Sequence, residues 1–222
     1  MTDDAPRAGR RASEQTRTLL VDTAARLWAQ RGVDAVSLRD VNRAAGQRNT
    51  NALHYHFGDR ATLLTAVLAP HDAQVELARH ALLDRCEAAG ASDVRALAAA
   101  LVEPLAHRLG VAGGQHFLMI RAQLVAGPDP LVEPEHRSDP THSVHRWRAL
   151  LDPLLSDAAR TLHHRFTARR LTLLELGFRA ARSSRADDAL FTSNLVDLVA
   201  ALLSVQPSEQ TQQRLRPGPS GR

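Results

Sequence analysis

Apolar residues along this chain recur at three- and four-residue spacings, in blocks cut by glycine and proline. Leu19, Leu20, Thr23, Ala24, Leu27 and Trp28 form the first stripe, with Ser13 as a plausible N-cap and Gly32 as its stop. Ser37 opens a second, short block, with Asp40 three residues on as the partner in a capping box. Leu38, Val41 and Ala45 supply its apolar face, and Gly46 ends it after about two turns. A third helix is expected over roughly 50–56, anchored by Leu53 and Phe57 four residues apart, and Gly58 breaks it. Asp59 then caps a longer helix through Leu63, Leu64, Val67 and Leu68, which meets Pro70 and is expected to kink or restart there.

Further helical blocks are expected over about 93–109, with a kink at Pro104, and over 114–126, 141–155, 160–182 and 187–205. Four prolines mark 127–140 as a long loop. Residues 1–12 read as a flexible arm and 206–222 as a disordered tail. No strand alternation competes, so the expected fold is all-α. The expected division is a helix-turn-helix domain over 13–60 and a larger helical domain over 61–205. Three short helices with a glycine-marked turn between the second and third are the plan of a helix-turn-helix reading head.

The third helix and its approach concentrate chemistry. Arg48, Asn49, Thr50 and Asn51 are followed by His54, Tyr55 and His56 around the two anchors. One face of such a helix is buried, while the other offers hydrogen-bonding groups outward, as groove recognition requires. Charge distribution agrees. The net charge of the 222 residues is only +4, but residues 1–60 hold ten Arg against seven acids, and the remainder eighteen against seventeen. Every basic side chain is Arg and none is Lys, a bias that codon usage explains as well as phosphate binding does.

With 44% hydrophobic and 23% charged residues the composition is that of a folded globular chain rather than a disordered one. No apolar run is long enough for a membrane span and no secretory leader is visible, so a cytoplasmic protein without membrane contact is expected. The single Cys86 fits a reducing compartment and reads as a small buried apolar group. Eleven His raise the question of metal or catalysis. His142 and His145 share a helix spacing near Asp139, and His163 and His164 are adjacent. Neither pattern has the three or four converging ligands of a closed metal site. There is no glycine-rich phosphate loop and no nucleophile-elbow motif. No cofactor, no metal and no enzyme activity are expected.

From Thr16 to Leu68 the chain resembles the TetR family of bacterial transcriptional regulators. The resemblance is carried by Thr16-Arg17, Ala24-Ala25-Arg26-Leu27-Trp28, Arg31-Gly32-Val33, Val36-Ser37-Leu38-Arg39-Asp40-Val41, Arg43-Ala44-Ala45-Gly46, Leu53-His54-Tyr55-His56-Phe57 and Gly58-Asp59-Arg60. Three departures stand out. The stretch 47–51 is one residue longer than the family's commonest spacing, Asn42 stands where a small Ala is usual, and His54 where Tyr is commonest. The resemblance implies a DNA-binding protein whose helical C-terminal part takes a small-molecule effector and pairs two chains. It implies a homodimer on a double-stranded, palindromic operator, most often as a repressor. An activator or ligand-independent regulator of the same fold is the alternative, and a helical binding protein or enzyme without DNA binding is the more distant one.

On that reading the phosphate contacts are expected from Thr16, Arg17, Ser37, Tyr55, His56 and Arg60, and the base contacts from Arg48, Asn49, Thr50, Asn51 and His54. Ser37 can equally be a plain N-cap, and Asn and Thr are also ordinary turn residues. Candidate effector-pocket residues are His107, His116, Phe117, Ile120, Gln123, Trp147, Leu151 and Phe178, each of which also suits core packing. Leu171, Leu174, Phe191, Leu195, Leu198 and Leu202 form stripes on the last two long helices. The resemblance makes them a dimer interface; in a monomer they would be core.

Overall fold

A computed structural model describes residues 5–47, 52–127, 141–182 and 187–215. Among them every regular element is helical. The reading head comprises α1 (Ala5–Arg31), α2 (Leu38–Ala44) and α3 (Ala52–Phe57). The long α4 (Arg60–Ala88) leads from it into a helical body made of α5 (Val94–Ala106), α6 (Gly114–Ala126), α7 (Ser143–Leu151), α8 (Asp157–Thr161), α9 (His164–Ala180) and α10 (Asp188–Ser204). A short α11 (Glu209–Leu215) follows.

Four expectations are corrected. First, the arm over 1–12 is helical from Ala5 onward, so Ser13 lies inside α1 rather than capping it. Ala, Arg, Glu and Gln favour helix throughout this stretch, and Pro6 occupies the first turn, where a missing N–H costs nothing. Second, α4 runs through Pro70 without a break. The helix therefore does not restart at Pro70, and buried Leu63, Val67, Leu68 and Val75 pack the turns on either side. Third, the helix expected over 160–182 is two, because His163 takes a left-handed conformation (φ 57°) between α8 and α9. Fourth, part of the expected tail is α11. Ser208 begins it in the manner of an N-cap, its carbonyl accepting from the Gln212 N–H at 2.9 Å.

Most of the head's expected apolar positions form its core, Leu20, Ala24, Trp28, Val41, Leu53, Phe57 and Leu63 being buried together, but Leu19 is 45% exposed. Gly46 makes the turn possible with φ 66°, a region that side chains with a Cβ rarely enter. In the body, α5 is buried along most of its circumference, and α4, α7 and α10 pack around it. The indole N–H of Trp147 donates to the Leu97 carbonyl at 2.8 Å, fixing α7 on α5. Buried Cys86 has its thiol pKa pushed up by burial, as an inert packing group would.

Helices α6 and α9 approach most closely at Gly177, where a Cβ would overlap the Cβ of Ala122 and lie 3.2 Å from the Leu118 carbonyl oxygen. Both conflicts are with fixed parts of α6, so the helices cannot keep this spacing around a larger residue. Gly177→Val is expected to destabilise the protein by about 1–3 kcal/mol, the usual range for overpacking. Thermal unfolding checks this, and an unchanged midpoint would show that the close contact is not needed.

Candidate nucleic-acid interface

The start of α2 is fixed by the expected capping box. The Asp40 N–H donates to the Ser37 hydroxyl oxygen at 3.2 Å, while the Asp40 carboxylate accepts from the Ser37 N–H at 3.0 Å and its hydroxyl at 2.6 Å. Those hydrogen bonds, the side-chain one foremost, hold the Asp40 carboxyl below its usual pKa. Ser37 is thus the N-cap of α2, and it remains exposed, with the Asp40 carboxylate beside it. At α4, the Asp59 side chain accepts from the Thr62 N–H at 2.8 Å, and this bond lowers its pKa as well.

The two anchors of α3 are buried, and the opposite face is open. Tyr55 is 83% exposed, and it meets the His56 ring edge-on at 5.2 Å. His54 is exposed, and its Nδ1 lies 2.7 Å from the Gly58 carbonyl oxygen, so this nitrogen carries the proton and Nε2 is left to face outward. Arg17 on α1 is exposed, with its guanidinium 5.2 Å from the Phe57 ring centroid. Arg17, Tyr55 and His54 thus surround the end of α3 with a cation, a phenolic hydroxyl and an imidazole whose second ring nitrogen can accept. Thr16 is half-buried and donates to the Ala12 carbonyl within its own helix.

Arg60 has a different role from the phosphate contact expected of it. Its guanidinium donates to the Val36 carbonyl at 2.9 Å and lies 6.0 Å from the Trp28 ring, with Nε buried. It fastens the start of α4 to the α1–α2 connection. Arg48, Asn49, Thr50 and Asn51 lie outside the described residues.

One side chain expected among the effector-pocket residues instead links the body to the head. Gln123 on α6 donates from Nε2 to the Trp28 and Ala29 carbonyls, both at 3.1 Å, and its Oε1 accepts from the Val33 N–H at 3.0 Å. The Trp28 carbonyl also accepts from the Gly32 N–H at 3.0 Å, so Gln123 adds a second bond there, while at the Ala29 carbonyl and the Val33 N–H it serves the groups that follow the last turn of α1.

The other pocket candidates divide. Phe117, Ile120, Trp147 and Leu151 are buried core. His116 is half-buried, and burial followed by the charge of Arg26 lowers its pKa. Phe178 is 64% exposed, so it faces away from any interior cavity. His107 lines an open groove of about 560 Å³ between α5 and α10, together with Arg95, Glu103, Asp188 and Thr192. Among the interface candidates Leu195 is buried in the core of the single chain, because its turn of α10 faces α5. Leu171, Leu174, Phe191 and Leu202 are half-buried and Leu198 is 50% exposed. With Phe178 and Leu190 they leave an apolar strip along α9 and α10.

Sequence reasoning missed a polar network inside the body. Arg79 on α4 is buried and donates to the Ala100 carbonyl at 3.2 Å, to Glu76 at 3.3 Å and to the Ser143 hydroxyl at 3.0 Å; burial pushes its pKa down to about 10. Burial raises the Glu76 carboxyl, but the Ser143 N–H and hydroxyl, with His142 and Arg79, outweigh it and leave the pKa below the usual value. His142 is therefore not a solvated histidine: its Nε2 is 3.1 Å from Glu76. Among the described residues no three His, Cys, Asp or Glu side chains converge as metal ligands. The spacing of Asp72, Glu76 and Arg79 does put them on one face of α4, but that pattern reads equally well as a solvated stripe.

A capped, glycine-turned three-helix unit with a solvent-facing third helix defines a helix-turn-helix DNA-binding domain. A family model for bacterial regulatory proteins of the tetR family matches residues 20–67, the stretch from the buried Leu20 of α1 to the buried Val67 of α4. Through this domain the chain is similar to that family, and the match supports a DNA-binding transcriptional regulator. No curated protein matches the chain.

Two outcomes follow for the head. Arg60→Met is expected to cost about 1–2 kcal/mol, since it leaves the Val36 carbonyl without its charged donor, whereas Tyr55→Phe leaves stability unchanged. Urea unfolding measures both, and equal midpoints for the two variants would refute the division of roles. The Asp40 and Asp59 caps have folded pKa values below their unfolded ones. Their contribution is complete above about pH 4, the ordinary carboxylate range, and is lost as pH falls through the lowered folded values. In Asp40→Asn the acid limb of the stability curve should be shallower, and an unaltered limb would contradict the cap's role.

Proposed function

We propose that the protein is a homodimeric, effector-responsive repressor that reads a palindromic operator with α3 in the major groove of each half-site. The observation that carries this reading is the open face of α3. Tyr55, His54 and Arg17 are displayed outward on a helix whose inner face is locked by Leu53 and Phe57. Arg48, Asn49, Thr50 and Asn51 would approach the base edges, with Arg suited to guanine and Asn to adenine. Tyr55, His56 and Arg17 would hold the backbone.

Two further observations support the dimer and the response. Phe178, Leu190 and Leu198 are 64%, 68% and 50% exposed on α9 and α10, an apolar strip suited to a second copy of the same two helices. The Gln123 bridge joins α6 directly to the end of α1, so a ligand that shifts α6 changes how the head is held. Such a ligand acts only through its different affinity for the two states. Among the described residues no single helix is long and apolar enough to cross a membrane, and a cytoplasmic protein working without a cofactor is the simplest setting for this role.

The test is gel retardation with the DNA upstream of the protein's own gene. Binding at low salt, weakening steeply as salt rises, is expected from phosphate contacts. Tyr55→Phe should weaken all sequences alike, while Arg48→Ala and Asn51→Ala should change which sequence is preferred. No binding at low salt, or equal losses on every sequence for all three variants, would overturn the reading.

A further inference from the structure

The fold settles in advance which hydrogen bonds His54 can make. His54 lies between the buried Leu53 and Phe57 on α3, and its own side chain is exposed on the open face. Its backbone carbonyl accepts from the Gly58 N–H at 2.9 Å, and its ring Nδ1 lies 2.7 Å from the Gly58 carbonyl oxygen. Gly58 takes φ 70°, the left-handed turn at which the chain leaves the helix. Two bonds of opposite sense therefore join the same pair of residues and hold the imidazole at the end of its own helix. A carbonyl oxygen can only accept, so Nδ1 donates. In the neutral ring Nε2 is then an acceptor without a proton, facing outward.

We infer that His54 is a specificity-determining residue whose Nε2 accepts a hydrogen bond from an exocyclic amino group in the major groove, adenine N6 or cytosine N4. This role rests on the DNA-reading function proposed for α3 and names the chemical group that one of its side chains reads. An acceptor finds few partners on duplex DNA. Phosphate oxygens only accept, so a neutral His54 with Nδ1 already engaged has no proton to give the backbone. Guanine O6 and N7, adenine N7 and thymine O4 are acceptors too, and would meet Nε2 lone pair to lone pair. Adenine N6 and cytosine N4 are the donors of the major-groove edge. The neighbouring side chains have the opposite chemistry. The exposed Tyr55 hydroxyl can donate, and the Arg17 guanidinium has donors alone, so both suit phosphate oxygens. The bond to Gly58 also fixes the direction of Nε2 before DNA arrives, which lowers the ordering cost of a base contact.

The test uses full-length protein at about pH 8, above the range in which imidazoles ordinarily titrate. A binding site is first selected from randomised duplex DNA. Single adenines of that site are then replaced by purine, which lacks the N6 amino group, and single cytosines by 2-pyrimidinone, which lacks the N4 amino group. In parallel, single purines are replaced by their 7-deaza forms, which lack the N7 acceptor. Gel retardation compares each duplex with wild type, His54→Ala and His54→Phe. At one position of the half-site, loss of the amino group should weaken wild-type binding roughly three- to tenfold and leave both variants indifferent. The base changes act on the wild-type protein as well, so the comparison does not depend on one variant alone. Amino-group losses that are equal in wild type and both variants at every position would overturn the inference. Coupling of His54 to a 7-deaza change instead would do the same. So would a salt dependence shallower by about one unit in His54→Ala, the mark of a phosphate contact. Failure of the wild type to select any DNA would sink the reading of α3 itself, whereas selection of a site with no amino-group dependence on His54 would sink only the role given to His54.

Discussion

A helix end buried against another domain must have its carbonyls met, and in this protein that requirement falls on Gln123. The Ala29 carbonyl and the Val33 N–H meet one amide of α6, and the Trp28 carbonyl, already bonded to the Gly32 N–H, accepts from the same amide. A Gln side chain can donate twice and accept at the same time, so it serves both sides of a helix terminus where a hydroxyl or a carboxylate could not. The head is consequently held at two places with different mechanics. Arg60 fastens it at the root of α4, and Gln123 fastens it from the body.

Those two fastenings run on helices that also carry the charge network. Helix α4 presents Asp72, Glu76 and Arg79, and α6 presents Arg121 next to the Gln123 turn. The ion pair between Asp72 and Arg121 therefore spans the two helices that reach the head. Arg79, Glu76 and Ser143 bring α7 into the same arrangement, and Arg146 adds an outer tie from α7 to Asp84 and Glu87 on α4, each at 2.7 Å. The outer tie is solvent-facing and contributes little by itself, whereas breaking the buried part would leave a charge without a partner. This division places the sensitive electrostatics inside the body and leaves its surface tolerant.

The head was legible in the sequence because each of its rules is local. Ser37 and Asp40 are three residues apart, Gly46 marks its own turn, and Leu53 and Phe57 declare one face by spacing alone. Arg60 was misread because its partners, Val36 and Trp28, become neighbours only after α1 and α2 pack. Gln123 was placed in a cavity for the same reason: a Gln on a mostly apolar helix looks like a ligand handle until α1 ends against it. Phe178 and Leu195 exchange their expected environments, since helical periodicity gives the stripes of α9 and α10 but not which stripe turns inward. The extension of α1 to Ala5 was hidden by Ser13, a capping residue type lying inside a stretch of helix formers.

Amide hydrogen exchange at Val33, followed in the full-length protein and in Gln123→Ala, addresses whether the body holds the head through this one side chain. Removing the amide should speed exchange at Val33 strongly, while the α2 and α3 amides, held by their own cap and core, keep most of their protection. Unaltered protection at Val33 would show that the head is held by other means and that α6 has no direct purchase on the DNA-reading helices.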